Sequence, residues 1–472
     1  MTLPQAHPLP YAGEGLDRWT HRGTPFSRDS HGRDSSGTKL YRFNSLGYRG
    51  AEFDPDAAKH LFVFGESHAF GDGLNEEETW AEKLTHSWCA ANAVARSSVC
   101  LSNFAEGACS NAYIARAVIT QCEQVRPDLV VIEFAEAARA EAFMAGRTAR
   151  TGDWLAQSAN QLEALPNEEV RQLARELIRR AAAYERFATP VHHAVDTMLN
   201  MILVRSYCAA RGLTVVASAD CLEELRSVAA ELPLAGMLWQ TIDDGHFLAP
   251  TCMRDFVDVA DRAADGSHPG ASAHSRFADA MLGFLQSPAA NSRATRATAC
   301  ATLWLGESDG GNSAIGANDV DLRRSGISNV GIARELMLAL ATHQPERIVF
   351  QFADFERSEG FDRANEPFDV PSPHESSVAA RWGLSGKQRK ARGRDKQKRA
   401  YREFATEGRG ALESLRWILF AQYMTQARAI PAVGRCPRWS RLAGSEAQGI
   451  EVLSPLLAQI DPAFLLHVDA VD

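Results

Sequence analysis

An internal repeat constrains this chain more than any other feature. Residues 126–143, RPDLVVIEFAEAARAEAF, return at 344–361 as QPERIVFQFADFERSEGF, and seven of these 18 positions are identical at an offset of 218. Further blocks recur at nearly the same spacing, SNAYIAR as SNVGIAR and YERFAT as YREFAT. The pattern predicts two copies of one domain in tandem.

Short apolar runs alternate with helical stretches in the first copy. Continuous apolar strands between helices are typical of a parallel sheet that is covered on both faces, so the sequence predicts a three-layer α/β/α fold. Residues 166–211 have helical periodicity, and we expect a break near Pro190. The predicted strands are HLFVFG (60–65), SVCL (98–101), DLVVIEF (128–134) and LTVVAS (213–218).

The length of the chain suits two domains. Its 472 residues are about three times a typical domain of roughly 150. We predict an N-terminal arm over 1–59, a first domain over 60–290 and a degenerate second copy over 299–472. FVFGES and LWLGES match only at an offset of 241, so the second copy lacks 23 residues after its first strand.

Composition excludes several classes of partner. The formal charge of -9 argues against a general nucleic-acid or anionic-membrane surface, and no run of 18 apolar residues suits a membrane span. Nine cysteines without a C-x-x-C pair suggest reduced thiols, so we expect a cytoplasmic protein without a metal or other cofactor. The basic run at 387–399 is either a solvated face or a local anion-binding patch.

One serine lies where an open α/β sheet holds its ligands. Ser67 directly follows an apolar strand and Gly65, and further glycines come after it. Asp265 stands three residues before His268 on a turn, so the carboxylate could orient one ring nitrogen while the other faces a serine. The pattern predicts a Ser67, His268 and Asp265 triad. A helix-capping role for Ser67, and a rival acid-base group at 243–246, are the alternatives.

These blocks resemble a known family. FGES, NFAEGACSN (103–111) and DGSHPG (265–270) are similar in order and spacing to the SGNH, or GDSL-type, serine hydrolases, and NSLGYRG and GLNEEETW resemble a phage and bacterial type. The resemblance implies a flavodoxin-like sheet, Ser67 as nucleophile with Asp265 and His268, and an oxyanion hole from the N–H groups of Ser67 and Gly107. It implies O-acyl ester substrates, with small acyl groups on sugars or glycans as the leading class.

The chain departs from the family pattern in two places. Glu66 stands where Asp is usual, and Ala137 matches the position of an oxyanion-binding Asn, whose loss can cost roughly 3–4 kcal/mol in the transition state. Asn111 and Arg139 are candidate replacements. They recur in the second copy, where we expect no Asp and His block, so a scaffold role is the alternative. The recurring pairs are Asn111 with Asn329, Arg139 with Arg357, and Glu141 with Glu359.

The sequence therefore predicts a serine esterase that acts on a small-molecule or glycan ester. Transfer of the acyl group to an acceptor hydroxyl is one alternative. A binding or structural module with a vestigial serine is another, and it belongs to a different class of protein. The two copies could also pack as an intramolecular pseudo-dimer.

Overall fold

The computed structural model describes most of the chain, with gaps. The described residues are 31–33, 40–44, 48–107, 109–144, 147–151, 175, 179, 188–242, 247–287, 298–306, 319–323, 329–352, 358–361, 367–370, 407–436, 454–461 and 463–466. Several predictions fall outside them: most of the 1–59 arm, the group at 243–246, Ser308, Arg357 and the basic run at 387–399.

The described part of the chain alternates strands and helices. The strands are β1 His31–Arg33, β2 Leu40–Arg42, β3 Lys59–Phe64, β4 Val99–Asn103, β5 Leu129–Phe134, β6 Ala140–Met144, β7 Arg147–Thr151, β8 Val215–Ala219, β9 Thr298–Gly306, β10 Val320–Asp321, β11 His343–Gln351, β12 Ser358–Phe361, β13 Pro367–Val370, β14 Ala432–Arg435 and β15 Leu465–Leu466. The α-helices are α1 Ser67–Phe70, α2 Trp80–Ala91, α3 Asn111–Gln124, α4 Pro190–Arg211, α5 Leu222–Glu231, α6 Pro233–Ile242, α7 Ala271–Gln286, α8 Asn329–Thr342, α9 Glu407–Ala427 and α10 Ser454–Leu457.

The first sheet carries the candidate site. Its four strands lie in the order β4-β3-β5-β8, and every neighbouring pair is parallel. All six residues of β5 are buried, and so are five of the six in β3, which is the burial that continuous apolar strands require. The four predicted strands and the helix that begins at Pro190 are confirmed. So is the predicted three-layer α/β class.

The second sheet has the same strand order as the first. Its strands lie in the order β10-β9-β11-β14-β15, again all parallel. A parallel bridge between Ala217 and Leu248 extends the first sheet beyond β8, as β15 extends the second beyond β14. Along the chain, an antiparallel hairpin follows the third strand of each parallel sheet: β6-β7 comes after β5, and β12-β13 comes after β11.

The chain forms two compact units that interleave along the sequence. One comprises 1–137, 211–227 and 239–292, and the other comprises 138–210, 228–238 and 293–472. In the first unit, α2 and α7 pack together with the sheet, and the rings of Trp80 and Phe277 meet edge to face at 5.3 Å. The domain limits predicted above remain predictions, because compactness does not test which segments share an origin.

Two further features concern the described residues as a group. None of their helices combines the length and the apolar content that crossing a bilayer demands. The eight cysteines whose side chains the structure describes are buried and form no disulfide; they are Cys89, Cys100, Cys109, Cys122, Cys208, Cys221, Cys252 and Cys436.

Candidate active site

The turn after β3 places Ser67 at the carboxyl end of the sheet. Glu66 is the N-cap of α1 and accepts the backbone N–H of His68, and Ser67 is the first helical residue. Gly65 allows this sharp turn, because a Cβ there would lie 2.6 Å from the Cβ of Ala69 and 2.9 Å from the carbonyl oxygen of Glu133. The turn therefore places Ser67 at the carboxyl end of β3, and open α/β sheets hold their ligands at this end of their strands.

The N-terminal arm holds the loop that follows Ser67. The buried guanidinium of Arg49 donates to the carbonyls of Phe70, Gly71 and Leu74, at 2.8, 2.6 and 2.5 Å. Its Cζ lies 4.3 Å from the centre of the Tyr41 ring, and the Tyr41 hydroxyl accepts the N–H of Gly73 at 2.6 Å. The sequence predicts the arm itself, but not these contacts with the loop after Ser67.

A second loop, residues 263–270, brings Asp265 and His268 to the same edge. The N–H of Ala264 donates to the carbonyl of Gly73 at 3.0 Å, so this loop lies against the one after Ser67. Asp265 Oδ2 contacts His268 Nδ1, while Asp265 Oδ1 accepts the backbone N–H groups of Ser267 and His268, each at 3.0 Å. Asp265 thus fixes both the turn and the imidazole.

Asp265 and His268 each stabilise the charged form of the other. Burial alone would raise the pKa of Asp265, but the hydrogen bonds from the ring and backbone of His268, the charge of that ring and the Ser267 N–H together outweigh burial and lower the pKa. Burial would likewise lower the pKa of His268, and the contacts with Asp265 and Asp72 raise it instead. The arrangement holds an imidazole as a base next to a carboxylate that stays ionised.

Ser67 and His268 are not hydrogen-bonded to each other. The Ser67 hydroxyl donates to Glu66 Oε2 at 2.7 Å, and the nearest carboxylate oxygen to His268 Nε2, apart from the Asp265 pair, is Asp72 Oδ2 at 3.9 Å. Joining the predicted nucleophile to its base therefore requires the Ser67 hydroxyl to change its partner. Contacts of this kind often form only when substrate is bound.

The glycine block lies beside the same turn. The N–H of Phe104 donates to Val63 O at 2.8 Å, and the N–H of Glu106 donates to Gly65 O at 2.9 Å. These two bonds hold the backbone just before Gly107 next to the start of α1. Gly107, the predicted second part of the oxyanion hole, is buried there.

The proposed replacement donors have other contacts. Asn111 donates its Nδ2 to Ala135 O at 3.1 Å and accepts the Ala135 N–H on Oδ1 at 2.7 Å, so its amide joins α3 to the end of β5. This pairing favours the scaffold interpretation of Asn111. Ala137 is buried, Arg139 is half-buried just before β6, and Glu141 lies within β6.

Four side chains near Ser67 form a group that was not predicted from the sequence. We call it the carboxylate–histidine cluster, and it consists of Glu66, His68, Glu133 and Asp220. His68 Nδ1 lies 3.0 Å from Asp220 Oδ2, 3.1 Å from Glu66 Oε1 and 3.4 Å from Glu133 Oε1. The one available signal was Glu133, a charged residue within the apolar strand LVVIEF.

Burial and the neighbouring charges shift the pKa values of this cluster in opposite directions. Burial would lower the pKa of His68, but the carboxylates of Asp220 and Glu66 raise it well above its usual value. Burial raises the pKa of Glu133 to about 7, despite its contact with His68. The three carboxylate side chains of the cluster are fully buried.

Three solved structures are similar to about half of this chain. TesA shares 16% identity at a TM-score of 0.26, covering 48% of this chain and 98% of its own. The psychrotrophic esterase EstA from Pseudoalteromonas sp. shares 14% at 0.28, covering 48% and 97%. LAE5, described as an alpha/beta hydrolase enzyme from the metagenome of Lake Arreo, Spain, shares 14% at 0.27, covering 49% and 98%. No protein-family model and no curated protein matches the chain.

Proposed function

We propose that this protein is a serine esterase that hydrolyses O-acyl esters with Ser67 as nucleophile. One observation carries the proposal: the Asp265 and His268 pair lies on a loop that packs against the loop following Ser67. An oriented imidazole beside a serine at the carboxyl end of a strand is the arrangement that acyl transfer requires. Small acyl groups on sugars or glycans remain the leading substrate class, on the strength of the family resemblance.

The reaction would proceed in two halves. His268 Nε2 takes the Ser67 proton as Oγ attacks the ester carbonyl, and Asp265 stabilises the imidazolium. The N–H groups of Ser67 and Gly107 would bind the oxyanion. Collapse of the tetrahedral intermediate breaks the bond to the alcohol, which leaves with the proton from His268. Water then attacks the acyl-enzyme in the same way and releases the carboxylic acid.

A second candidate, a binding or structural module with an inert serine, is favoured by one observation. The Ser67 hydroxyl donates to the buried carboxylate of Glu66 instead of to His268. A serine locked in that contact would have no base. The absence of the usual oxyanion Asn at Ala137 points the same way.

A fluorophosphonate probe distinguishes the two candidates. The esterase proposal expects covalent labelling of the full chain at Ser67, loss of labelling in Ser67→Ala, and release of acid from p-nitrophenyl acetate. Peptide mapping is essential, because Ser267 lies 3.3 Å from His268 Nδ1 and is a rival serine. No labelling of folded protein would favour the binding or structural module, and labelling at Ser267 would remove Ser67 as the nucleophile.

We further propose that the two sheets arose by duplication. The shared strand order, the paired hairpins and the sequence repeat support a common origin. The second copy would then have diverged from the first, with 23 fewer residues after its first strand.

A further inference from the structure

The carboxylate–histidine cluster has more negative charge than its neighbours balance. Its three carboxylates face one imidazole and Arg254, whose Nε lies 3.6 Å from Asp220 Oδ2. That guanidinium is half-exposed and also pairs with Glu136. Burying an uncompensated carboxylate costs several kcal/mol, so a cluster of this composition requires another positive species.

Several polar atoms of the cluster point inward without hydrogen bonds. Both carboxylate oxygens of Asp220, Glu133 Oε1 and His68 Nδ1 are buried and form no hydrogen bond, although His68 Nδ1 lies close to three oxygens. The side chains of Glu133 and Asp220 are fully buried. Buried polar atoms normally find partners, so orphaned atoms that converge on one point indicate a missing ligand.

In two of the carboxylates, Glu66 and Glu133, the oxygen that does not face His68 accepts a hydrogen bond. Glu66 Oε2 accepts the Ser67 hydroxyl, and Glu133 Oε2 accepts Trp80 Nε1–H at 3.2 Å. In each case the other oxygen faces His68 Nδ1. Hydrogen bonds that orient a carboxylate from behind are the usual support of a metal ligand.

From these three observations we propose that the carboxylate–histidine cluster binds one divalent transition-metal ion such as Zn²⁺. Donors about 2.0–2.2 Å from a tetrahedral zinc lie roughly 3.3–3.6 Å apart. The oxygens lie 3.0 to 3.4 Å from His68 Nδ1, so these nitrogen–oxygen separations need to increase by at most a few tenths of an ångström. Ligand atoms of Glu66, His68 and Asp220 lie within 4.8 Å of one another. An imidazole among carboxylates selects zinc-like ions over Mg²⁺ and Ca²⁺.

The ion would join the carboxyl ends of three neighbouring strands. Glu66 follows β3, Glu133 lies in β5 and Asp220 follows β8. The ion would thus hold together the carboxyl ends of these strands next to Ser67. This structural role does not depend on the proposed esterase activity.

Zinc binding to the full-length protein tests the proposal. Calorimetry and metal analysis after dialysis should give one equivalent of Zn²⁺ per chain. Binding should weaken in His68→Gln and Asp220→Asn by at least the roughly 10–100-fold loss that removal of a supporting hydrogen bond causes. Two controls should bind as the unmodified chain does. His86→Gln removes an exposed imidazole near Glu82, and His268→Gln removes the proposed base, whose ring meets that of His68 edge to face at 5.9 Å but supplies no ligand atom.

X-ray absorption at the zinc edge of the unmodified protein gives a second measurement, which stands even if the ligand variants do not fold. One nitrogen and two or three oxygens at about 2.0–2.2 Å are expected. Sulfur ligation at about 2.3 Å would assign the zinc to cysteines and overturn the proposal. Failure to bind Zn²⁺, or undiminished binding in a folded ligand variant, would also overturn it and leave protons as the neutralising species. Loss of probe labelling in His268→Gln with zinc retained would show that the two proposals stand separately.

Discussion

The Ser67 hydroxyl can change partner only by rotation about its Cα–Cβ bond, because its backbone is fixed as the first residue of α1. Its hydrogen bond to Glu66 therefore competes directly with a hydrogen bond to a base. A bond to a charged acceptor contributes about 1.5–3 kcal/mol, which substrate binding would have to offset. We expect slow turnover for this reason as well as for the missing oxyanion Asn.

Replacing Asp265 by Asn tests the orientation of the base. The amide keeps the shape but presents the wrong polarity to His268 Nδ1, so kcat for p-nitrophenyl acetate should fall by about 10³–10⁴-fold with little change in KM. The measurement is steady-state kinetics, with circular dichroism to verify folding. Unchanged kcat in a folded variant would remove Asp265 from the mechanism.

His274 should make the protein sensitive to acid. Burial lowers its pKa well below the usual value, and its Nδ1 accepts the backbone N–H of Trp80 at 3.0 Å. The folded chain keeps this imidazole neutral, whereas the unfolded chain binds a proton below about pH 6.5. Stability from this group is therefore complete above that pH and declines below it, by about 1.4 kcal/mol per pH unit.

Urea unfolding at pH 7.5 and 5.5 measures that decline. In His274→Gln, which keeps an acceptor but does not titrate, the free energy of unfolding should change less between the two pH values. An identical slope in the variant would assign the acid sensitivity to other groups.

At the scale of elements, the contact between two loops builds the candidate site. Gly73 has a φ of 76°, and a Cβ there would lie 2.8 Å from the Cβ of Ala263 and 3.1 Å from Asp265 Cγ. Gly73→Ala should therefore push the loop at 263–270 away. A displacement of about 1 Å can lower kcat by about 10²-fold.

Gly266 provides a matched control for that substitution. Its φ of 73° is nearly the same, but a Cβ there meets no atom within 4 Å. Gly266→Ala should cost only the left-handed backbone penalty of about 1–2 kcal/mol, and Gly73→Ala should cost about 1–3 kcal/mol more. Equal losses in thermal or urea unfolding would show that the loop contact contributes nothing.

The sequence predicts those parts of the site that are local. Asp265 and His268 are three residues apart on one turn, so their contact follows from spacing, and the buried strands follow from apolar runs. The carboxylate–histidine cluster forms only because β3, β5 and β8 are neighbours in the sheet. The order of strands in a sheet cannot be predicted from any single segment of the sequence. The partner of the Ser67 hydroxyl was missed because a rotamer depends on the buried surroundings.

At the scale of the whole molecule, the predicted triad takes all three of its residues from the first copy, and Ser308 of LWLGES is the second copy's counterpart of Ser67. The fluorophosphonate probe should therefore label each chain once, and intact mass spectrometry should detect a single adduct. Ser67→Ala should reduce labelling to zero. A second adduct at Ser308 would contradict the degenerate state that we predict for the second copy.

The contacts of the N-terminal arm with the Ser67 loop limit how far the protein can be truncated from its N-terminus. Arg49 and Tyr41 precede the first strand of the parallel sheet, yet their side chains satisfy four backbone groups of the Ser67 loop. A fragment cut at the start of β3 would strip those carbonyls of their donors and uncover the ring of Phe70, which Arg49 covers. The smallest fragment able to hold the predicted nucleophile in place therefore begins upstream of Tyr41, outside the sheet that carries the candidate site.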